Sequence, residues 1–172
     1  MKISDLNSGE YLAYYQTYLN YLPEQDLIEL LSDLKTSFLD FLSGLKEADL
    51  QHQYAPQKWT VAEVLQHMLD TERIFQYRSL CIARKDLKSL PGFDQDAYVP
   101  NSLANRRDLN SFILEFTAVR DSGIALYKTL NDEMLTELGE ASGAKLSPRA
   151  AGFITAGHQV HHQNLFKTLY NL

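Results

Sequence analysis

The chain has 172 residues, 45% hydrophobic and 22% charged, with a net charge of −6, which fits one folded domain spanning 1–172 rather than a disordered tail. The acidic balance, with basic residues scattered along the chain, argues against a nucleic-acid partner, and no apolar run reaches the roughly 18 residues that a membrane-spanning helix needs. One cysteine, Cys81, excludes an internal disulfide and a cysteine-rich zinc site; beside Leu80, Ile82 and Ala83 it reads as a buried small hydrophobe.

The opening MKISDLNSGEYL lacks the apolar core of a signal peptide, so a cytoplasmic location is expected. Tyr11, Leu12, Tyr14, Tyr15, Tyr18, Leu19 and Leu22 follow as an aromatic, partly helical leader that stops before Pro23. The first long helix is predicted from about Glu24 to Lys46, with Leu27, Leu31, Leu34, Phe38, Phe41, Leu42 and Leu45 recurring at three- and four-residue steps. The second opens at Thr60 with Glu63 three residues on, a capping box, and runs to about Arg84 with Val61, Val64, Leu65, Met68, Phe75 and Ile82 on one face. Trp59, just before it, suits a staple packing across the cap.

Lys88 to Asn101 carries two prolines and reads as an ordered loop. A third helix is predicted from about Leu103 to Leu130, striped by Leu109, Phe112, Phe116, Val119, Leu126 and Tyr127. The fourth starts at Ser147-Pro148, an N-cap followed by a first-turn proline, and runs close to the C-terminus. Four amphipathic helices with no strand beyond the incidental predict an all-α four-helix bundle with a short helical leader.

At about 100° per residue, Ala151, Ile154, His158, His161, His162, Leu165 and Leu169 share one face of the fourth helix. Three histidines in an apolar stripe need partners for their ring nitrogens. His158 and His162 stand one turn apart, so both can reach one ion. The residue after His158 is Gln159 rather than the glutamate of HExxH, which disfavours a zincin protease. His67, on the flank of the second helix's stripe, is the candidate third ligand, while His52 lies in a polar stretch and reads as solvated.

His161 points as far inward as His158 and is assigned to the surroundings of the ligands or to the core. Glu72 falls inside the second helix's apolar stripe, where an unpaired charge is expensive. It either accepts from a ring N–H of His158, His161 or His162, or pairs with an arginine such as Arg120 or Arg149. Asp70 reads as solvated.

The segments WTVAEVLQHMLDTERIFQYRSL, LPGFDQDAYV, FTAVRDSGIALYKTL and ASGAKLSPRAAGFITAGHQVHHQN, in this order, resemble the DinB superfamily, which includes YfiT-like and bacillithiol-transferase-like proteins. The resemblance implies a four-helix bundle, often dimeric, with a divalent metal held by one histidine of the second helix and an HxxxH of the last. These positions correspond to His67, His158 and His162. The sequence departs at Gln159, where relatives often carry glutamate, so that glutamate's role is absent here. The family implies metal-dependent hydrolysis or transfer of a small thiol.

Two functional classes follow. In the first, the chain is a metal-dependent enzyme whose ion lowers the pKa of a water or a low-molecular-weight thiol and directs it at a small-molecule substrate. Imidazole donors suit several ions, with zinc or nickel the expected ones, and a thiol transferase is favoured over a hydrolase because no carboxylate base stands beside the HxxxH. In the second, it is a non-catalytic metal-binding or dimerising helical protein of a stress response. A pocket open at the histidines distinguishes the first from the second, and a homodimer burying an apolar helix face is expected in either.

Overall fold

The computed structural model describes residues 1–86 and 88–172. Three 3-10 turns and a short helix, α1 (Gln16–Leu19), form the leader. The long helices begin where a side chain can accept from the free N–H groups of the first turn. Asp26 caps α2 (Leu27–Gly44), and Thr60 with Glu63 closes the predicted capping box of α3 (Val61–Ala83). Ser147 caps α7 (Pro148–Thr168) by accepting from Ala150 N.

Two readings depart from expectation, the loop at 88–101 and the start of the third long helix, and an incidental hairpin follows. The stretch read as a loop contains α4 (Gln95–Asn101), opened by the Asp94 carboxylate, which accepts from the N–H groups of Asp96 and Ala97. The third long helix, α5 (Leu109–Lys128), starts at its cap Asp108 and not at Leu103. Leu103 has a left-handed φ of 56° and leads into a separate 3-10 turn, Ala104–Arg106, so the helix cannot extend back through it. After α6 (Asp132–Thr136), β1 (Gly139–Ala141) and β2 (Ala144–Leu146) pair antiparallel with Ala141 opposite Ala144. Ser142 and Gly143, at φ 55° and 74°, make the two-residue turn that matches strand twist.

The four long helices pack in a ring. α3 lies against α5 and α7, and α2 lies against the same two. Helices consecutive in the chain, α2 with α3 and α5 with α7, therefore occupy diagonals. This order makes α3 and α7 neighbours, and theirs is the most extensive helix contact of the molecule. A bundle of consecutive neighbours would have set them on a diagonal.

Two apolar clusters fill the ring. One gathers Leu27, Leu31, Phe75, Ile82, Tyr127, Phe153 and Ile154; the other gathers Phe38, Leu42, Leu65, Phe112, Phe116 and Phe166. Cys81 is half-buried at the edge of the first rather than enclosed in it. Along every long helix one cluster gives way to the other, and at that waist the buried side chains are polar: His67, Thr71 and Glu72 on α3, Arg120 on α5, His158, Gln159 and His162 on α7.

The apolar face of α7 is wider than the predicted stripe. Gly152, Phe153, Thr155, Ala156 and Gly157 are buried too: Gly152 packs on Leu27 of α2 and Tyr127 of α5, and the leader covers the side at Gly157. Gly157 permits this: a Cβ there would sit 2.5 Å from the Tyr18 carbonyl oxygen. Leu169, placed inward by the periodicity, lies beyond the leader's reach and is exposed.

Candidate metal centre

His67 stands in the second turn of α3, buried like Val64 and Met68 on the same helix, with its ring 5.2 Å from that of Trp59. Trp59 also packs on the cluster that contains Val64, as a staple would. His158 and His162 project from successive turns of α7 with ring centroids 4.5 Å apart. The Nε2 atom of His158 lies 3.0 Å from Nε2 of His67 and 3.0 Å from Nε2 of His162. One ligand atom from each of the three falls within 4.8 Å of the others.

Hydrogen bonds among the rings cannot satisfy this arrangement. Each neutral imidazole has one N–H and one in-plane lone pair, so the central His158 Nε2 either donates to one neighbour or accepts from one. The third ring is then left facing a lone pair or a proton of its own kind. A cation takes one lone pair from each ring, and ligand atoms about 2.0–2.1 Å from one ion stand roughly 3–4 Å apart. The donor set therefore fits a metal ion.

Burial keeps the rings neutral. It lowers the His67 pKa to about 4, helped by the charge of His161. Burial also pushes His158 and His162 well below the usual histidine range, with the neighbouring imidazoles adding to the effect. All three present lone pairs at neutral pH without first losing a proton. Their outer nitrogens are lightly held: His67 Nδ1 is 3.5 Å from the Thr71 hydroxyl, and the buried Nδ1 of His162 has no partner among the described residues.

Open space reaches the histidines from two sides. A pocket of about 210 Å³ is walled by His67 and His158 together with Tyr15, Tyr18, Phe75 and Arg78, and its mouth lies at the exposed Tyr14 and Gln95. A second, of about 340 Å³, touches His162, Trp59, Lys58 and Tyr170.

The other candidates lie elsewhere. Glu72 does not touch a histidine: its carboxylate receives Nε and Nη2 of Arg120 at 2.8 and 2.9 Å. Glu72 faces α5, about 140° around α3 from His67, and α5 supplies the arginine that neutralises it. Arg149, the other expected partner, pairs with Glu10 of the leader. His161 is half-buried against Tyr18 and Tyr21, at 5.1 and 6.1 Å between rings. Asp70 is half-buried rather than solvated; burial raises its pKa, and Gln66 donates to it at 2.9 Å. His52 is exposed.

Gln159 uses its amide to hold α2, donating to the Leu34 carbonyl at 2.8 Å. A glutamate in that rotamer would set a carboxylate against this carbonyl. Reasoning from the sequence passes over Arg78 and the pocket tyrosines. A signal for Arg78 exists, since eleven residues after His67 bring it to within about 20° of that histidine on the flank of the α3 stripe.

Solved structures share this architecture. YfiT from Bacillus subtilis, described as a probable metal-dependent hydrolase with an unusual four-helix bundle topology, superposes with a TM-score of 0.73 at 16% identity, over 88% of this chain and 92% of that one. A mycothiol-dependent maleylpyruvate isomerase superposes with a TM-score of 0.67 at 8% identity, over 84% of this chain and 60% of that one. At such identities the likeness is one of fold. A comparison with curated proteins gave no match. The sequence profile of the DinB superfamily matches residues 30–166, and the chain belongs to that superfamily.

Proposed function

We propose that the protein is a metal-dependent enzyme acting on a small molecule, with a divalent ion held by His67, His158 and His162. The observation that carries this reading is the convergence of three Nε2 atoms on one point, with an open pocket reaching His67 and His158 and another reaching His162. A bound ion would supply Lewis acidity, lowering the pKa of a thiol or a water brought to it.

The residues of the chain define what accompanies that chemistry. Neutral imidazoles would leave the ion's charge uncancelled, and Tyr15, Tyr18 and Phe75 give the pocket aromatic walls. Proton transfer is where the site is poorly equipped. Residue 159 is a glutamine, Glu72 is tied to Arg120, no carboxylate lines the pocket beside His67 and His158, and the pocket beside His162 has only the exposed Asp96 in its wall. Hydrolysis asks a base to take a proton from water, whereas a thiol near its ordinary pKa of about 8.5 gives up its proton far more easily. This favours transfer of a low-molecular-weight thiol to an electrophile over hydrolysis. Zinc or nickel suits three imidazoles. The open pocket also favours an enzyme over a purely structural metal protein.

The test is elemental analysis of the purified protein before and after chelation. One divalent ion per chain is expected, lost from His67→Ala, His158→Ala and His162→Ala and retained by His52→Ala. Full occupancy in any of the three ligand variants would overturn the assignment. Loaded protein should then consume a small thiol in the presence of an electrophile faster than it hydrolyses esters or amides. For assembly we propose a homodimer, supported by exposed Tyr77 and Leu80 on one face of α3; a monomer in light scattering at micromolar concentration would refute it.

A further inference from the structure

The pocket beside His67 and His158 contains one formal charge, the guanidinium of Arg78, and no aspartate or glutamate lines it. Arg78 is 3% exposed. Other enclosed or half-enclosed arginines have carboxylates: Arg120 has Glu72, Arg149 has Glu10, and Arg107 has Glu115. Arg78 has no ion pair among the described residues. Its hydrogen bonds run from Nη2 alone, to the Pro91 carbonyl at 2.9 Å and the Ser142 hydroxyl at 2.8 Å. Those two neutral acceptors fix the group in place and leave its positive charge without a counter-ion.

A buried charge without a counter-ion is costly, and the fold could have avoided it with an apolar residue at this position. The surroundings suit an incoming anion. Phe75 and Phe93 face the guanidinium with ring centroids 5.2 and 6.0 Å away, offering flat apolar walls for an organic body. The Tyr15 hydroxyl lies beside the guanidinium as a neutral acceptor, which leaves the charge without a counter-ion.

We infer that Arg78 anchors a carboxylate of the substrate, whose body lies against Phe75 and Phe93 and whose opposite end reaches the histidines. The inference rests on reading this pocket as the substrate site. It names the substrate class as small organic carboxylates, in keeping with a volume of about 210 Å³. Arg78 is a binding residue here, and the groups that hold it, Pro91 and Ser142, position it.

The test uses chelator-treated, metal-free protein and three probes: 3-phenylpropionate, its neutral amide, and inorganic phosphate, each titrated by calorimetry or by NMR shifts. The carboxylate should bind at least tenfold more tightly than the amide and more tightly than phosphate. Arg78→Met should abolish that preference, and Arg78→Lys should restore part of it by returning the charge. Because Arg78→Met also loosens the hairpin, Gly143→Ala serves as a second variant. It strains the turn, where Gly143 has a φ of 74°, and leaves Arg78 and its acceptors in place, so it should lower the melting temperature while keeping the preference.

Four results would each overturn the inference: equal binding of acid and amide, an unchanged preference in Arg78→Met, a preference erased as fully by Gly143→Ala as by Arg78→Met, or no binding of any probe at millimolar concentration. Tighter binding of phosphate than of the carboxylate would overturn the assignment to carboxylates. The titrations contain no metal, so they stand apart from the proposed metal chemistry. Loss of the ion assignment would leave this result intact, and the reverse holds as well.

Discussion

Two buried polar groups share the waist of the bundle, the Glu72–Arg120 pair and the three histidines. In the first, every strong donor has an acceptor. Two guanidinium nitrogens meet the two carboxylate oxygens, Nη1 reaches the Leu31 carbonyl at 3.3 Å, and the ring of Phe116 lies 5.2 Å from the guanidinium. The pair joins α3, α5 and α2 and faces no ligand space beyond a crevice of about 10 Å³. The histidines sit on the same stretch of α3 and on α7, yet their nitrogens cannot all be matched by one another, and open pockets reach them. A polar group closed within the protein serves the fold; one left open awaits something from outside.

The largest effect should fall on the closed group. Arg120→Met leaves a buried carboxylate without its cation and should cost about 3–5 kcal/mol of stability. Glu72→Gln should cost less, since the amide oxygen still accepts one guanidinium bond, and both variants should keep the metal content of the parent protein. Denaturant unfolding with elemental analysis on the same samples checks this. A Glu72→Gln variant of unchanged stability and weakened metal affinity would break the comparison, because it would make the carboxylate part of the open group.

A second closed pair, at the leader, asks whether closure matters as much near solvent. Glu10 accepts from Arg149, from the Ser147 hydroxyl at 2.6 Å and from Asn7 at 3.0 Å. Burial pushes its pKa up, but these bonds prevail and hold it at about 2, below the usual 4.5. A carboxyl depressed on folding stabilises the protein above its unfolded pKa, and the contribution fades as pH falls from about 4.5 toward 2. Glu10→Gln should therefore cost about 2 kcal/mol at neutral pH and progressively less in acid. Melting curves of both proteins from neutral pH to pH 3 should converge; a constant gap would show that the ionised form is not what matters.

The amino-acid sequence makes part of this architecture legible. Thr60 and Ser147 read as helix caps, and His67, His158 and His162 stand out by spacing and by their place on apolar faces. What stays hidden is non-local. Periodicity shows that Glu72 is buried but not which helix faces it, and that depends on the ring order that sets α5, rather than α7, against its side of α3. The hairpin escapes notice because Ser142-Gly143 lies between strands of only three residues, too short for an alternating pattern to stand out. The width of the buried face of α7 depends on the leader docking at Gly157, a contact between residues far apart in the chain.

The smallest expected effect marks where the open group ends. His161 adjoins His162 in the chain, and its ring is 5.1 Å from that of His162, so by spacing alone it competes for the role of ligand. Its environment differs. It stands against Tyr18 and Tyr21 and is half-buried, and burial lowers its pKa without a partner ring contributing. A consecutive residue on a helix points about 100° away, so His161 and His162 cannot both aim at the point shared with His158. His161→Ala should keep one ion per chain, with metal affinity within about threefold, the ~0.5 kcal/mol typical of a substitution outside the key contacts. Stability should fall by about 0.5–1 kcal/mol from the lost ring contacts with the leader. If His161→Ala depletes the metal while His162→Ala retains it, the ligand is the other member of the pair, and the unpartnered Nδ1 of His162 becomes a feature of the core instead.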